Sequence, residues 1–487
     1  MNIPDDAFFA LLERALAQRG SLTRQRLLYQ ALRDAILEGR LQAQSRLPGS
    51  RTIARRLMLS RNTVNAALEQ LTLEGYLLRD RLGSQVATLA PPRTPVETIE
   101  VPPLPARLSR LPPGIQRDSP PLAFTPGTPA INYFPLPLWR RLLTRVLRDE
   151  GCALLGYGDS AGEASLRAAI ARHLALARNI QCEASQIIIT EGALEGIALC
   201  ARLLTQPGER AWVEDPGYLG VKGTFVAAGL TTKAIPVDDE GLHVAGQSAP
   251  PPRLIFTSPS NQYPTGVVLS AARRLALLDF ARRHQAWIIE DDYDSEFRYD
   301  SNPIPAMAGM QPNAPVIYLG TFSKTLFPAL RTGFVVLPPM LAAVAQPTVN
   351  ALLRGGHRAE QRTLARFIEE GHYARHLAAM RRLYRKRQQQ LRAALADHLT
   401  EPFSVMGGDG GLHLTVTLNA IDDVALAQQA RRYQLAPAAL SPFYLDSSSA
   451  RCGLVLGYGN TCASQFAPGV QRLQRLITQW RRHVGEG

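Results

Sequence analysis

Nine prolines fall between residues 91 and 120, from Pro91 and Pro92 to Pro120, with Pro121 just beyond. Each proline fixes its own φ and lacks an N–H, so this stretch cannot run as the interior of a helix or of a paired strand. An extended, semi-rigid linker is expected instead. The chain is therefore divided into three zones: 1–90, the linker 91–120, and 121–487. Its 487 residues leave ample length for a core on either side of the linker.

The net charge is +13 and the pI about 9.8. This balance fits a polyanionic partner such as DNA, or simply a basic soluble surface, and charge alone does not decide between them. Cys152, Cys182, Cys200, Cys452 and Cys462 show no CxxC spacing. They suggest neither a zinc site nor a disulfide framework, which fits a reducing cytosol. The N-terminus is acidic where a signal peptide would be basic. No apolar run is long enough to span a membrane.

Within 1–90, the segment from Arg46 to Glu69 has the pattern of two helices joined by a tight turn, with Ser50 expected to cap the first and Ser60 the second. Ile53, Ala54 and Leu57, then Val64, Ala67, Leu68 and Leu71, give each helix one apolar stripe. Arg51, Arg55, Arg56, Arg61 and Asn62 are left on polar faces. A helix that opens with Arg61-Asn-Thr63 suits a major groove, because its N-terminus binds phosphate while its side chains reach base edges. Leu82-Gly-Ser-Gln-Val-Ala87 has the pattern of a β-wing with Gly83 at its tip.

Beyond residue 121, apolar runs at Gln186–Thr190, Arg253–Thr257, Ala286–Glu290 and Val316–Gly320 predict buried parallel strands with amphipathic helices between them. Lysine is scarce in this chain: Lys222, Lys233, Lys324 and Lys386 are the only four among 54 Lys plus Arg. Lys324 lies among hydroxyls in Gly320-Thr-Phe-Ser-Lys-Thr. An amine that must shed its proton and attack a carbonyl has to be lysine, since a guanidinium stays charged. Schiff-base chemistry with pyridoxal 5′-phosphate (PLP) is the expectation.

The strand ending Glu290-Asp-Asp-Tyr-Asp294 places Asp291 where ligands of open α/β sheets sit. There a carboxylate would keep a pyridine nitrogen protonated, with Tyr293 within reach of the ring's phenolic oxygen. A metal cluster or a solvated turn is the alternative for Asp291, Asp292 and Asp294, though the run lacks calcium-loop spacing. Thr321 and Ser323 offer hydroxyls and Arg331 a fork for a phosphate. The strand-to-helix turn around Gly192 and Ala193 adds backbone N–H groups, and Tyr218 offers a ring face.

Leu47-Pro-Gly-Ser-Arg51, Ser60-Arg-Asn-Thr-Val64, Leu71-Thr-Leu-Glu-Gly-Tyr76 and Gly83-Ser84 resemble the GntR family of winged helix-turn-helix regulators. That resemblance implies DNA contacts from Arg51, Ser60, Arg61 and Thr63, with Gly83 in the wing. Asp215-Pro-Gly-Tyr218, Pro259-Ser-Asn-Gln-Tyr-Pro-Thr-Gly266, Glu290 to Phe297, Gly320 to Gly333 and Glu370-Gly-His-Tyr-Ala-Arg-His376 resemble a fold-type I PLP-dependent transferase. That fold implies a large parallel-sheet subdomain and a smaller α+β one. Together the two resemble the MocR-type transcription regulators.

The resemblance implies that Lys324 is the Schiff-base lysine, Asp291 the pyridinium partner, Tyr293 the phenolic-oxygen partner and Tyr218 the stacking ring. It also implies that Thr321, Ser323 and Arg331 are phosphate contacts. On this reading the protein is a cytoplasmic, head-to-tail homodimeric regulator that binds double-stranded operator DNA. It senses PLP, an amine or an amino acid, and its aminotransferase-like body serves as a sensor rather than an enzyme. An active aminotransferase with an accessory DNA-binding head is the alternative. Two departures weigh against that alternative. Tyr263 stands where many aminotransferases carry asparagine, and Val455 stands where a carboxylate-binding arginine precedes the Leu-Gly-aromatic stretch. Arg451, on the same face if the strand is regular, either replaces that arginine or lies on the surface.

Overall fold

The computed structural model describes residues 5–17, 22–89, 105–112, 120–247, 250–299, 304–408 and 410–485. The chain divides into two compact units, Met1–Pro103 and Leu104–Gly487. The expected linker lies for the most part outside the described residues. Its described piece is not extended: Ala106–Arg110 forms a 3-10 turn that rests on the helix Leu219–Ala227 of the second unit.

The first unit runs helix Asp5–Leu16, helix Arg24–Leu37, helix Ser50–Arg56, helix Arg61–Leu73, then the hairpin Leu77–Asp80 with Gly83–Val86. Leu28, Leu32, Ile53, Val64, Ala67 and Leu71 are all buried in one core with Phe8 and Leu12. Ser60 caps its helix, its hydroxyl accepting from the Thr63 N–H at 3.1 Å. Ser50 does not cap. It is already the first helical residue, and Gly49 before it takes the cap position without a side-chain bond. At the wing, Arg46 grips Asp80 through two nitrogens, at 2.9 and 2.5 Å, and Asp80 also accepts from the Leu82 N–H at 2.8 Å. The guanidinium holds the Asp80 carboxyl down at about 2.

The second unit is built on an eight-stranded sheet. Its spatial order is Ile187–Thr190, Gly333–Val336, Val316–Thr321, Trp287–Asp292, Leu254–Thr257, Arg210–Asp215, Thr231–Asp238, Gly241–Leu242. The five strands from Val316–Thr321 to Thr231–Asp238 are parallel. The sheet as a whole is mixed, and of the four runs expected to pair in parallel only Gln186–Thr190 does not. Gly333–Val336 runs antiparallel to both of its neighbours, so Ile187–Thr190 has no parallel partner. The segment between Thr321 and Gly333 is too short for a parallel crossover, which needs about a dozen residues or more and usually a helix. Ile187–Thr190 and Leu254–Thr257 are buried along their whole length, as expected of strands covered on both faces. A separate four-stranded antiparallel sheet, Phe403–Met406, His413–Leu418, Gly453–Gly457 and Ala438–Ala439, packs with the long helices His372–His398 and Phe466–Gly485.

Candidate functional site

Four strands of the large sheet bring their carboxyl ends to one edge: Thr190, Asp215, Asp292 and Thr321 are the last residues of their strands. Lys324 sits on the turn just after Thr321, half-buried, and its Nζ donates to the Gly127 carbonyl at 2.6 Å. Asp291 is 6 % exposed, and its Oδ1 is buried with no hydrogen-bond partner among the described residues. Burial pushes its carboxyl up to about 8, with Asp292 and Glu214 adding to the shift and Lys324 pulling against it. The Tyr293 hydroxyl is likewise buried and unpartnered, and burial raises it well above the usual phenol range. An unpaired buried polar group costs free energy. Here one acceptor, Asp291 Oδ1, and one O–H donor, Tyr293, at a strand end match a protonated ring nitrogen and a phenolic oxygen.

Asp291, Asp292 and Asp294 do not converge as a metal cluster. Asp292 pairs with Arg178 at 2.7 Å and accepts from Tyr318, while Asp294 accepts from Asn261 at 2.9 and 3.0 Å. No metal-holding group of His, Cys, Asp or Glu occurs among the described residues.

Beside the lysine, two loops close into a cradle. The helix Ala193–Leu204 starts at Gly192, which has φ 85° and no side-chain cap. Arg331 reaches over this turn to the Glu191 carbonyl at 2.7 Å. A Cβ on Gly192 would stand 3.4 Å from the Arg331 guanidinium, and one on Gly333 only 2.8 Å from the Gly192 carbonyl carbon. Open N–H groups at a helix start, with a guanidinium overhead, suit a phosphate. Thr321 Oγ1 accepts from the Ser323 N–H at 3.2 Å on the facing turn. Lys324, Thr321, Ser323, Arg331, Gly192 and Ala193 thus occupy adjoining turns, with Asp291 on the neighbouring strand.

Tyr218 follows the strand Arg210–Asp215 and meets Tyr263 edge-on at 6.3 Å; Tyr263 in turn meets Tyr293 at 6.1 Å. Arg451 does not lie on the strand that was to present it. The strand begins at Gly453, and Arg451 is exposed beside Tyr444. Val455 is fully buried in an apolar cluster with Leu440 and Phe443, flanked by Tyr263 and Tyr444.

Sequence reasoning missed four participants. Gly127 accepts the Lys324 bond from far along the chain. Glu214 is buried, accepts from Thr257, Ser258 and Gln262, and is pushed up to about 7 by burial. His413, buried and held down at about 4 by burial, stacks edge-on with Tyr263 at 5.1 Å. Lys222 is buried on Leu219–Ala227.

In the first unit Arg51, Ser60, Arg61, Asn62 and Gly83 are exposed and Thr63 is half-buried. Arg61 and Asn62 open the helix Arg61–Leu73, whose opposite face holds Val64, Ala67, Leu68 and Leu71 in the core. Replacing Arg61 with alanine should weaken binding to the operator and flatten the salt dependence by about one unit of slope. An unchanged affinity in a shift assay would remove this helix from the interface. The basic run on His372–His398 is less available than its composition suggests. His376 and Arg387 are buried, and Arg381 donates to the Glu296 carbonyl at 2.9 Å, so that Arg375, Arg382, Arg385 and Lys386 carry the exposed charge.

Residues 24–84 match the bacterial regulatory proteins of the gntR family, and residues 127–454 match aminotransferase class I and II. The chain is 38% identical over 462 residues to the probable rhizopine catabolism regulatory protein MocR of Rhizobium meliloti, covering 92% of each. It is 32% identical over 434 residues to the pyridoxine biosynthesis transcriptional regulator PdxR of Corynebacterium glutamicum, covering 89% of this chain and 91% of that one. Among solved structures, Pyrococcus horikoshii kynurenine aminotransferase in complex with PMP is similar at a TM-score of 0.68 and 26% identity, over 74% of this chain and 91% of that one.

Proposed function

Because the chain belongs to the MocR-type transcription regulators, a GntR-family head joined to an aminotransferase class I and II body, we propose that its body holds PLP through Lys324 and that occupancy of this site sets the affinity of the head for operator DNA. The observation that carries the reading is the pair of buried polar groups without a hydrogen-bond partner among the described residues, the acceptor Asp291 Oδ1 and the Tyr293 hydroxyl, at the strand end beside Lys324. When bound, PLP supplies an aldehyde for the lysine amine and an electron-withdrawing ring. Asp291 holds the ring-nitrogen proton. Tyr293 faces the phenolic oxygen and Tyr218 the ring. Gly192, Ala193, Thr321, Ser323 and Arg331 bind the phosphate. Arg51, Ser60, Arg61, Asn62, Thr63 and Gly83 form the DNA-facing surface of the head.

The effector is PLP itself or an amine that reacts with it. The position of the carboxylate-binding arginine is taken by Val455 inside an apolar cluster, and Arg451 is exposed. Both favour a sensor over a transaminase that must grip an amino-acid carboxylate. The alternative, a working aminotransferase, would show as steady keto-acid production from an amino-acid panel that is lost in Lys324→Ala. The reading includes a cytoplasmic location and a homodimer. Strongly exposed Leu155 and Tyr157 on the body are consistent with self-association. No helix among the described residues is long and apolar enough to cross a membrane.

The deciding experiment is the affinity of PLP-free protein for the DNA upstream of its own gene, with and without PLP. Coupling between two sites is usually about 1–3 kcal/mol, so a shift of roughly five-fold to a hundred-fold is expected. No shift with PLP alone would move the effector role to amines and amino acids. No shift with any of them would end the sensor reading.

A further inference from the structure

Lys222 lies beside the site described above, against Glu214 and Asp215; it is one of four lysines in an arginine-rich chain and is only 2 % exposed. Its Nζ lies 3.5 Å from Asp215 Oδ1, with both side chains buried, and it donates to the Phe443 carbonyl. The same carbonyl accepts from the Gly217 N–H at 3.0 Å. Asp215 in turn accepts from the Leu445 N–H at 2.6 Å and from the Asp446 N–H at 3.2 Å. The corner Asp215-Pro-Gly-Tyr218 and the segment 443–446 are therefore joined by three direct hydrogen bonds, and Lys222 links them a fourth time, through its bond to the Phe443 carbonyl and its ion pair with Asp215.

The far side of that segment is anchored differently. Asp423 accepts from the N–H groups of Leu440, Ser441 and Gly453 and from the Ser441 hydroxyl. The segment 440–446 thus bridges the small sheet, through Asp423, and the large sheet, through Asp215 and Lys222. It also borders the candidate site. Phe443 meets Tyr263 at 5.3 Å, and Tyr263 is the ring between Tyr218 and Tyr293.

We propose that the Lys222–Asp215 pair positions this bridge: it holds the segment 440–446 against the corner that carries Tyr218, so that occupancy of the site and the seating of the small sheet change together. Lysine suits this place because a compact ammonium can serve one carbonyl and one carboxylate in a closed space, whereas a planar five-donor fork would leave donors unsatisfied. A buried pair is weak as a source of stability but strong as a specifier, because breaking one half leaves a buried charge. The pair is thus a positioning device. The tie itself stands on the contacts above; its link to PLP rests on the proposed function.

Hydrogen exchange of the full-length chain, read by mass spectrometry with and without PLP, tests both. In the wild type the amides of 440–446 should exchange more slowly once PLP is added; identical rates would overturn the coupling. In PLP-free Lys222→Met, exchange at 440–446 and at Gly217 should rise roughly tenfold, and PLP affinity should fall by about the same factor while covalent attachment at Lys324 persists. Where Lys222→Met does not fold, Lys222→Met/Asp215→Asn removes both charges together and serves in its place. Unaltered exchange in a folded variant overturns the tie. Faster exchange with unchanged PLP affinity overturns the positioning role. A wild type that binds no PLP defeats the proposed function instead, and leaves the exchange of the PLP-free variants to decide the tie.

Discussion

Alanine at position 324 is expected to abolish covalent retention of PLP. Borohydride reduction of the PLP-treated wild type should fix one adduct on the peptide that contains Lys324, and the variant should carry none. Attachment depends on chemistry rather than charge. The nucleophile must be an amine able to lose its proton, and the Lys324 Nζ is the amine at the strand edge beside Asp291, held by the Gly127 carbonyl at 2.6 Å. Lys324→Arg keeps the positive charge and should fail equally, which separates attachment from electrostatic attraction. Reversible binding should persist through the phosphate cradle, weakened by roughly tenfold or more for the loss of the bond. An adduct that survives on Lys222, Lys233 or Lys386 in the alanine variant would sink the assignment.

The second large effect concerns Asp291 and is a matter of stability against pH. In the PLP-free protein, burial pushes this carboxyl up to about 8, while in an unfolded chain it titrates at about 4. A raised folded value means that the stability it permits is fully present below about pH 4, is lost as pH rises from there to about 8, and is flat above. Asp291→Asn cannot ionise and lacks this slope. The variant should therefore be progressively more stable than the PLP-free wild type from pH 4 to 8, by several kcal/mol with a ceiling of ~5 kcal/mol. Urea unfolding of both proteins at pH 5 and pH 8 reads the difference. PLP should reverse the order at pH 8, because a protonated ring nitrogen gives the carboxylate a partner that asparagine does not replace. Parallel stability profiles for the two proteins would show that Asp291 is not the buried acid of the site.

Much of this architecture is legible in the sequence because burial leaves a periodic trace. The stripe Val64, Ala67, Leu68, Leu71 and the runs around Ile255, Ile288 and Ile317 declare a core-facing helix and fully covered strands. What periodicity does not encode is which strand lies next to which. Ile187–Thr190 has the same pattern as its parallel relatives, and its antiparallel neighbour follows only from the short path between Thr321 and Gly333. The chemical groups were legible where rarity or clustering marked them, as with Lys324 and the acids after Ile289.

Gly127 was not legible, because a backbone carbonyl has no residue type to betray it and its contact is with a residue far along the chain. Lys222 carried the same signal of scarcity as Lys324, but nothing around it in sequence hinted at Phe443. Arg451 was tied to a strand by spacing, and the strand starts two residues later. The cap at Ser50 failed for a related reason: in Pro48-Gly49-Ser50 the glycine already satisfies the turn, and the serine moves inside the helix.

The contact between the Gly192 turn and Gly333 has a consequence for how such a chain can change over time. Where a Cβ at position 333 would lie 2.8 Å from the carbonyl carbon of Gly192, position 333 cannot gain a side chain without displacing the Gly192 turn. The two segments, more than a hundred residues apart, are thereby coupled at one point of contact. A descendant that abandons Lys324 can regain it by a single reversion. A descendant that fills the space between these two turns must shift a strand against its neighbour to accommodate the new atom, and one reversion would no longer bring it back.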